Sequence, residues 1–222
     1  MRPALAGLWA GTLGALVLGG LAAAQEAATY RLEVVFTWSE ATHPHNWPEG
    51  GGHMTGLVGA SHHARYVMFQ DGRTATSGVR VVAENGRPAI LLAELAEAKR
   101  RGRVGAAFQT SGVKSVPGQV QTTVKVSQRH YQISFVTMIA PSPDWFTGVA
   151  GVTLYADGVW ADQIDVPLWP WDAGTDSGAE YRSANAETQP AQSIRLLATP
   201  HFLQPSGLAP IGTARFTRID AE

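Results

Sequence analysis

The chain has 222 residues, with 17 Lys and Arg against 18 Asp and Glu, a formal net charge of −1 and no cysteine. The absence of cysteine excludes disulfides, thiol chemistry and thiolate metal sites. The balanced charge, with no basic cluster beyond Lys99-Arg100-Arg101, does not favour nucleic-acid binding.

The N-terminus predicts export. Arg2 is followed by an apolar run from Leu5 to Leu21 and by the small residues Ala22-Ala23-Ala24, which fit a cleavage site. We therefore expect a signal peptide over residues 1–24 and a single domain over 25–222, secreted or periplasmic, with no transmembrane segment once the signal is removed. A retained membrane anchor is the alternative. An exported chain without cysteine also favours a bacterial envelope protein.

Five segments alternate apolar and polar residues, as strands with one face in water do. Their apolar positions run through Tyr30–Trp38, Val120–Val126, Tyr131–Phe135, Ile164–Leu168 and, more weakly, Ala214–Phe216. Gly and Pro turns separate these segments, so the pattern predicts antiparallel sheets in a sandwich or a closed sheet. Residues 40–59 and 178–192 lack periodicity and are predicted to be long ordered loops.

One helix is predicted after Pro88. An apolar stripe covers residues 91–98, the basic residues 99–101 fall in the last turn, and Gly102 can close the helix. Cations suit the negative end of the helix dipole. We therefore interpret the basic cluster as a helix end rather than a binding patch.

Several kinds of catalytic or metal site lack their full signature in this chain. The histidines at 43–45 and 62–63 have no helical ligand spacing, so bonding to backbone or solvent is favoured over zinc. Residues 176–179, DSGA, match the turn of aspartic proteases, but that chemistry needs two such carboxylates and the chain has one copy. Neither a G-x-S-x-G motif nor a phosphate-binding loop is present.

Three aspartates form a better candidate site. Asp144 lies in the turn PSPDWF after the strand at 131–135, and Asp172 and Asp176 lie in WPWDAGTDSG after the strand at 164–168. If these strands are neighbours, the three carboxylates meet at one end of the sheet. Hard cations such as Ca²⁺ prefer carboxylate, carbonyl and water oxygens. Turn and capping roles are the alternative for each aspartate.

Two long motifs, MIAPSPDWFTGVAGVTLY and LWPWDAGTDSG, resemble the spondin N-terminal domain family. Agreement extends to Thr37-Trp38-Ser39, His43-Pro44, Trp47-Pro48, Ser77-Gly78-Val79 and the closing IGTARFTRI, so that the resemblance covers about residues 29 to 219. It implies an all-β fold, an antiparallel β-sandwich similar to the calcium-binding membrane-targeting sandwiches, with one or two short helices.

The resemblance also implies a divalent-cation site, with Ca²⁺ as the expected ion. The family's metal carboxylates map onto Asp144 and Asp172, whereas a third family carboxylate, a Glu, aligns with Lys125. An ammonium beside the cation would weaken the site. Alternatively, Lys125 points away and Asp176 or water completes the coordination. We expect a retained but weak site.

Members of the family in animals are extracellular adhesion and recognition modules rather than enzymes. The resemblance therefore implies a non-enzymatic module that binds an unidentified protein or carbohydrate ligand, with the cation as a candidate bridge. Four aromatic residues flank the carboxylates and are predicted either to pack in the core or to form an apolar ligand rim: Trp145, Phe146, Trp169 and Trp171.

Two other functions stay open as alternatives. The first is a metal-assisted hydrolase that uses the same carboxylates with His43, His53 or His62. The second is calcium-dependent binding to anionic lipid, which predicts a basic rim around the metal. Residues 141–178 contain no Lys or Arg, which counts against the lipid alternative.

Overall fold

The computed structural model describes residues 26–219. The signal peptide predicted for residues 1–24 lies outside this range. Across the described residues, no helix combines the length and apolar character needed to cross a membrane.

The described chain forms fifteen strands and two helices. The strands are β1 (Ala27–Phe36), β2 (His53–Met54), β3 (Val58–His62), β4 (Val104–Gln109), β5 (Gly118–Ser127), β6 (Gln132–Ala140), β7 (Trp145–Thr153), β8 (Tyr155–Ala156), β9 (Val159–Trp160), β10 (Gln163–Leu168), β11 (Pro170–Asp172), β12 (Arg195–Leu196), β13 (Leu203–Gln204), β14 (Gly207–Leu208) and β15 (Gly212–Arg218). The helices are α1 (Ser77–Asn85) and α2 (Ala89–Arg100).

The first sheet has four antiparallel strands in the order β10-β15-β1-β5. In β1 the inward side chains Tyr30, Leu32, Val34 and Phe36 are buried, whereas the side chains between them reach solvent to varying degrees. This alternation confirms the period-two prediction for β1. The same sheet contains the predicted strands β5, β10 and β15.

The second sheet follows the order β12-β11-β7-β6-β3-β4, with β2 paired to β6. Its inner face packs against the first sheet, and this packing confirms the predicted antiparallel β-sandwich. The shared core includes Tyr30, Leu32, Phe36, Ile133, Phe135, Ile139, Trp145, Leu168 and Phe216. Strand β2 and the start of β3 lie within residues 40–59, which the sequence predicted to be loop throughout.

The two helices cover the outer face of the second sheet and make a third layer. A second apolar cluster lies between them and the sheet, and includes Val58, Ala60, Val79, Val82, Leu91, Leu95, Val136 and Phe146. Strand β6 is therefore buried on both faces. The prediction of a wet face for β6 was wrong, because alternation within one strand does not reveal a helix packed over it.

The helix predicted after Pro88 is confirmed as α2. Arg101 Nε lies 2.8 Å from Glu97, and Gly102 ends the helix with a φ of 68°. Helix α1 was not predicted. Its local signal was Thr76, whose hydroxyl accepts a hydrogen bond from Val79 N at 3.2 Å and so caps the N-terminus.

Candidate functional site

Asp144 lies in the turn between β6 and β7 and is fully buried. Its Oδ2 accepts hydrogen bonds from Thr175 N at 2.7 Å, Asp176 N at 3.0 Å and Thr175 Oγ1 at 3.2 Å. Its Oδ1 is also buried, and no donor within residues 26–219 reaches it. One oxygen of this carboxylate therefore accepts three hydrogen bonds, and the other has no hydrogen-bond partner in this range.

Asp172 is brought to the same place by strand pairing. Strand β11 pairs with β7 so that Asp172 lies opposite Trp145, the residue that follows Asp144. Asp172 Oδ1 accepts a hydrogen bond from Gly174 N at 2.7 Å. Burial, and after it the charge of Asp172, raises the pKa of Asp144 to about 6. The two aspartates therefore interact, as the family motifs implied, although the strands that precede them in the sequence prediction, β6 and β10, lie in different sheets.

Asp176 contributes its backbone to the site more than its carboxylate. Its Oδ1 accepts a hydrogen bond from Gly178 N at 2.8 Å, and its Oδ2 accepts one from Ala186 N at 3.2 Å. These bonds hold the carboxylate in its own loop, which corresponds to the turn role considered for Asp176. In the described part of the chain, no group of three or more His, Cys, Asp or Glu side chains is arranged to hold a metal ion.

Arg195 is a site residue that the sequence reading missed. It lies opposite Asp172 across the β11–β12 pair, and its Nη2 and Nε donate to Asp172 Oδ2 at 2.9 and 3.3 Å. A guanidinium thus occupies one oxygen of the acidic pair. The sequence carried no local signal for this contact, because β12 has only two residues and no periodicity.

A cavity of about 420 Å³ opens beside the pair. Its lining consists of Trp145, Asp172, Asp176–Ala179 and Arg195–Thr199. The cavity therefore combines carboxylates, one guanidinium and small or apolar side chains, and a ligand that enters it approaches Asp172 directly.

Lys125 does not lie beside this pair. It is exposed on β5, opposite Thr29 of β1. The end of β5 nearest the site is Gly118, because Gly118 pairs with Phe36 at the end of β1 that leads to Trp38. Lys125 is seven residues further along β5, roughly 23 Å at the rise of a strand. This placement contradicts the first alternative for Lys125, an ammonium beside the cation, and agrees with the second, in which Lys125 points away.

The four aromatic residues predicted as a rim divide into two groups. Trp145 is 2% exposed and belongs to the core between the sheets, although one part of it lines the cavity, and Phe146 is 0% exposed beneath the helices. Trp169 and Trp171 are half-buried. An exposed rim built from Trp145 and Phe146 is therefore excluded by their burial.

The histidines of the hydrolase alternative are scattered. His43 is buried with its ring centroid 5.7 Å from that of Phe202. His62 pairs with Gln132, at the end of β6 far from the Asp144 turn, and its Nε2 lies 2.7 Å from Ser134 Oγ. His53 is exposed on β2. His62 is therefore placed away from the carboxylates.

Comparison with known proteins agrees with the resemblance of the motifs. The sequence is 35% identical to Spondin-2 of Homo sapiens over 198 residues, 86% of this chain and 60% of that protein. It is 34% identical to Spondin-1 of Gallus gallus over 180 residues, 78% of this chain and 22% of that protein. The chain thus spans less than two thirds of each of these relatives. The Spondin_N family profile matches residues 28–206, so the chain belongs to the Spondin_N family.

Proposed function

We propose that this protein is an exported, non-enzymatic binding module of spondin type, in which Asp144 and Asp172 hold a divalent cation, with Ca²⁺ as the preferred ion. The observation that carries the proposal is the buried Oδ1 of Asp144, which has no donor within residues 26–219 and lies next to a second carboxylate. A cation would supply the missing partner.

The energetics favour a cation at this position. Burying a carboxylate oxygen without a partner is costly, and a neighbouring negative charge adds to the cost. The raised pKa of Asp144 reflects this cost. A hard cation bound by both aspartates would give the buried oxygen a partner and offset the repulsion between the two carboxylates. Backbone carbonyls and water would complete its oxygen shell.

The same geometry argues for modest affinity. Only two carboxylates converge, and Arg195 already occupies Oδ2 of Asp172. A cation must displace this guanidinium or share the carboxylate with it. We therefore expect a dissociation constant on the order of 10⁻⁴ to 10⁻³ M, as in extracellular calcium modules.

The ligand is proposed to be a protein or a carbohydrate that reaches the cation through the cavity beside Asp172. With two protein carboxylates on the ion, coordination positions are free for a carboxylate or hydroxyl of the ligand. Leu196 is 40% exposed, lines the same cavity and offers apolar contact. The extracellular adhesion role that the family resemblance implies is consistent with a site of this kind.

The test is thermal denaturation of the purified protein in a calcium series that reaches tens of millimolar. Ca²⁺ should raise the melting temperature with a saturating curve, since a ligand that binds only the folded state adds roughly 2.7 kcal/mol at one hundred times its dissociation constant. Asp144→Asn and Asp172→Asn should each abolish the rise. A melting temperature that Ca²⁺ leaves unchanged would refute the cation site.

Asp165→Asn is the matched control for these variants. Asp165 is an exposed carboxylate on the first sheet, away from the site, and its Oδ1 lies 2.8 Å from Nε of Arg215 on the neighbouring strand. This variant should keep the full calcium response. If it loses the response as the two site variants do, the effect of Ca²⁺ is general screening of charge rather than binding at Asp144.

A further inference from the structure

A second polar cavity, of about 310 Å³, lies away from the carboxylates and is lined almost entirely by basic residues. Its walls are His63, Arg65, Arg101, Gly102, Arg103 and Arg129. These residues come from three separate segments: the turn after β3, the end of α2, and the turn between β5 and β6. No window of the sequence contains them together.

Backbone bonds hold two of these segments against each other. His63 N donates to Arg103 O at 2.9 Å, which fixes the turn after β3 beside the end of α2. Gly102 has a φ of 68°, and a Cβ at this position would lie 2.8 Å from Arg129 Nη2. The third segment therefore places the Arg129 guanidinium directly over Gly102.

Several backbone carbonyls at the end of α2 already accept hydrogen bonds. Gly102 N donates to Lys99 O at 2.8 Å, and Arg103 N donates to Ala98 O at 3.0 Å. His130 Nε2 lies 3.0 Å from Gly102 O, in position to donate to it. Because these acceptors are bonded, their repulsion of an anion is reduced.

Few carboxylates compensate the positive charge of these guanidinium groups. Arg101 pairs with Glu97. Between residues 26 and 219, no Asp or Glu forms an ion pair with Arg65, Arg103 or Arg129. A cluster of like charges around a concave surface raises the local concentration of anions, even though the chain as a whole has a net charge of −1.

We propose that this cavity binds the sulfate or phosphate group of a ligand, in the form of a sulfate or phosphate ester. Guanidinium groups recognise such oxyanions through paired N–H donors, and donors from several segments can surround a tetrahedral group. A volume of about 310 Å³ admits the ester group together with a unit the size of a monosaccharide. The cavity is at the His62 end of β3, far from Asp144, so the proposal does not depend on the cation.

The test is isothermal titration calorimetry at low ionic strength, with inorganic sulfate, inorganic phosphate, glucose 6-sulfate and glucose 6-phosphate as probes. The double variant Arg103→Gln/Arg129→Gln should weaken binding of the esters about tenfold or more, as expected for the loss of charge-assisted hydrogen bonds. Arg65→Gln should weaken it less. All three side chains are exposed, so folding should be retained and is checked by the melting temperature.

Arg87→Gln is the matched control, because Arg87 is exposed at the opposite end of α2 and the change in charge is the same. Its affinity for the esters should stay within about twofold of the original. Equal losses in Arg87→Gln and in the double variant would overturn the proposal, because they would show unspecific attraction. If the unsubstituted protein binds none of the four probes, the proposal is overturned as well.

Two further experiments distinguish a soluble ester from a lipid headgroup as the source of the anionic group. Binding of the soluble esters should be unchanged by a calcium chelator, which separates this cavity from the carboxylate pair. Vesicles of phosphatidylcholine with phosphatidylglycerol should bind no better than vesicles of phosphatidylcholine alone. If the anionic vesicles bind through Arg103 and Arg129 and the soluble esters do not, the surface recognises membranes and the proposal is wrong.

Discussion

The two carboxylate oxygens of Asp144 have very different surroundings. Three donors converge on Oδ2, whereas Oδ1 is buried without a donor from the described chain. Arg195 neutralises Asp172 at the edge of the cavity but leaves Asp144 unneutralised. Within the acidic pair, one residue is therefore charge-compensated, whereas the other has no cationic side chain bonded to it within residues 26–219.

Substitution of Arg195 should strengthen calcium binding. Arg195→Gln removes a positive charge that competes for Asp172 Oδ2, so we expect the dissociation constant for Ca²⁺ to fall about three- to tenfold. Calcium titration followed by melting temperature measures the change. Arg215→Gln, at the exposed Asp165 pair, should leave it unaltered. A weaker affinity in Arg195→Gln would mean that Arg195 orients Asp172 rather than competing with the ion.

His62 should make the protein less stable in acid. Burial lowers the pKa of His62 below its usual 6.5. As the pH falls through 6.5, the unfolded chain binds a proton that the folded chain resists, so the free energy of unfolding decreases. Urea denaturation from pH 7 to pH 5 measures the total change, in which the raised pKa of Asp144 acts in the opposite direction. The contribution of His62 is therefore the difference between the original protein and His62→Gln, and the free energy of unfolding should fall less, or rise more, in the variant. A histidine contribution should remain in the variant, because burial also lowers the pKa of His43.

His53, an exposed histidine, provides the control for His62. His53→Gln removes an imidazole from the surface of β2. If His62→Gln and His53→Gln change the pH dependence equally, burial of His62 between Ser134 and the His63 carbonyl is not the cause.

Strand β11 and the turn that follows it form the element that assembles the site. Pairing with β7 places Asp172 beside the Asp144 turn, and pairing with β12 adds Arg195. The turn then directs the N–H groups of Thr175 and Asp176 at Asp144. Gly174 makes this turn with a φ of +74°, a conformation that residues with a Cβ rarely adopt.

Gly174→Ala should damage both stability and calcium binding. The new Cβ would lie 2.5 Å from Gln192 O, in addition to the strain of the positive φ. We expect a loss of about 1–3 kcal/mol in the free energy of unfolding, measured in urea, and weaker binding because the donors to Asp144 are displaced.

Gly72→Ala separates strain from contact. Gly72 has a similar φ of +79°, but a Cβ there has no heavy atom within 4 Å. This variant should lose about 1 kcal/mol and keep its calcium affinity. If Gly174→Ala is no worse than Gly72→Ala, the contact with Gln192 is not important.

At the scale of the whole molecule, three layers are held together by a sheet that depends on the C-terminal strand. Strand β15 lies between β1 and β10, and its Ala214 and Phe216 are buried in the core. The matched family range ends at residue 206. The folded unit therefore extends beyond the part of the chain that the family profile recognises.

Removal of β15 should abolish the fold. A chain that ends at residue 211 leaves β1 and β10 without their shared partner and exposes the core between the sheets. We expect no cooperative thermal transition by circular dichroism, whereas a chain that ends at residue 219 should unfold like the full protein. A cooperative transition in the shorter chain would show that β15 is dispensable.

The sequence by itself determined the strands that alternate, the helix after Pro88 and the family, and the family motifs implied that Asp144 and Asp172 lie together. Each of these is encoded locally: alternation follows one buried face, helix ends have their own signals, and each aspartate lies in a long family motif. The long motifs thus predicted the acidic pair before the register of β7 and β11 was known.

Only the tertiary structure decided what lies across from each element. In the folded protein the helices pack over β6, Arg195 donates to Asp172, and the Asp176 carboxylate bonds within its own loop. Lys125 lies far from the site, and Arg65, Arg103 and Arg129 line one cavity. The physical reason is that these contacts depend on strand register and layer order, which join residues far apart in the chain and leave no periodic trace within any one segment.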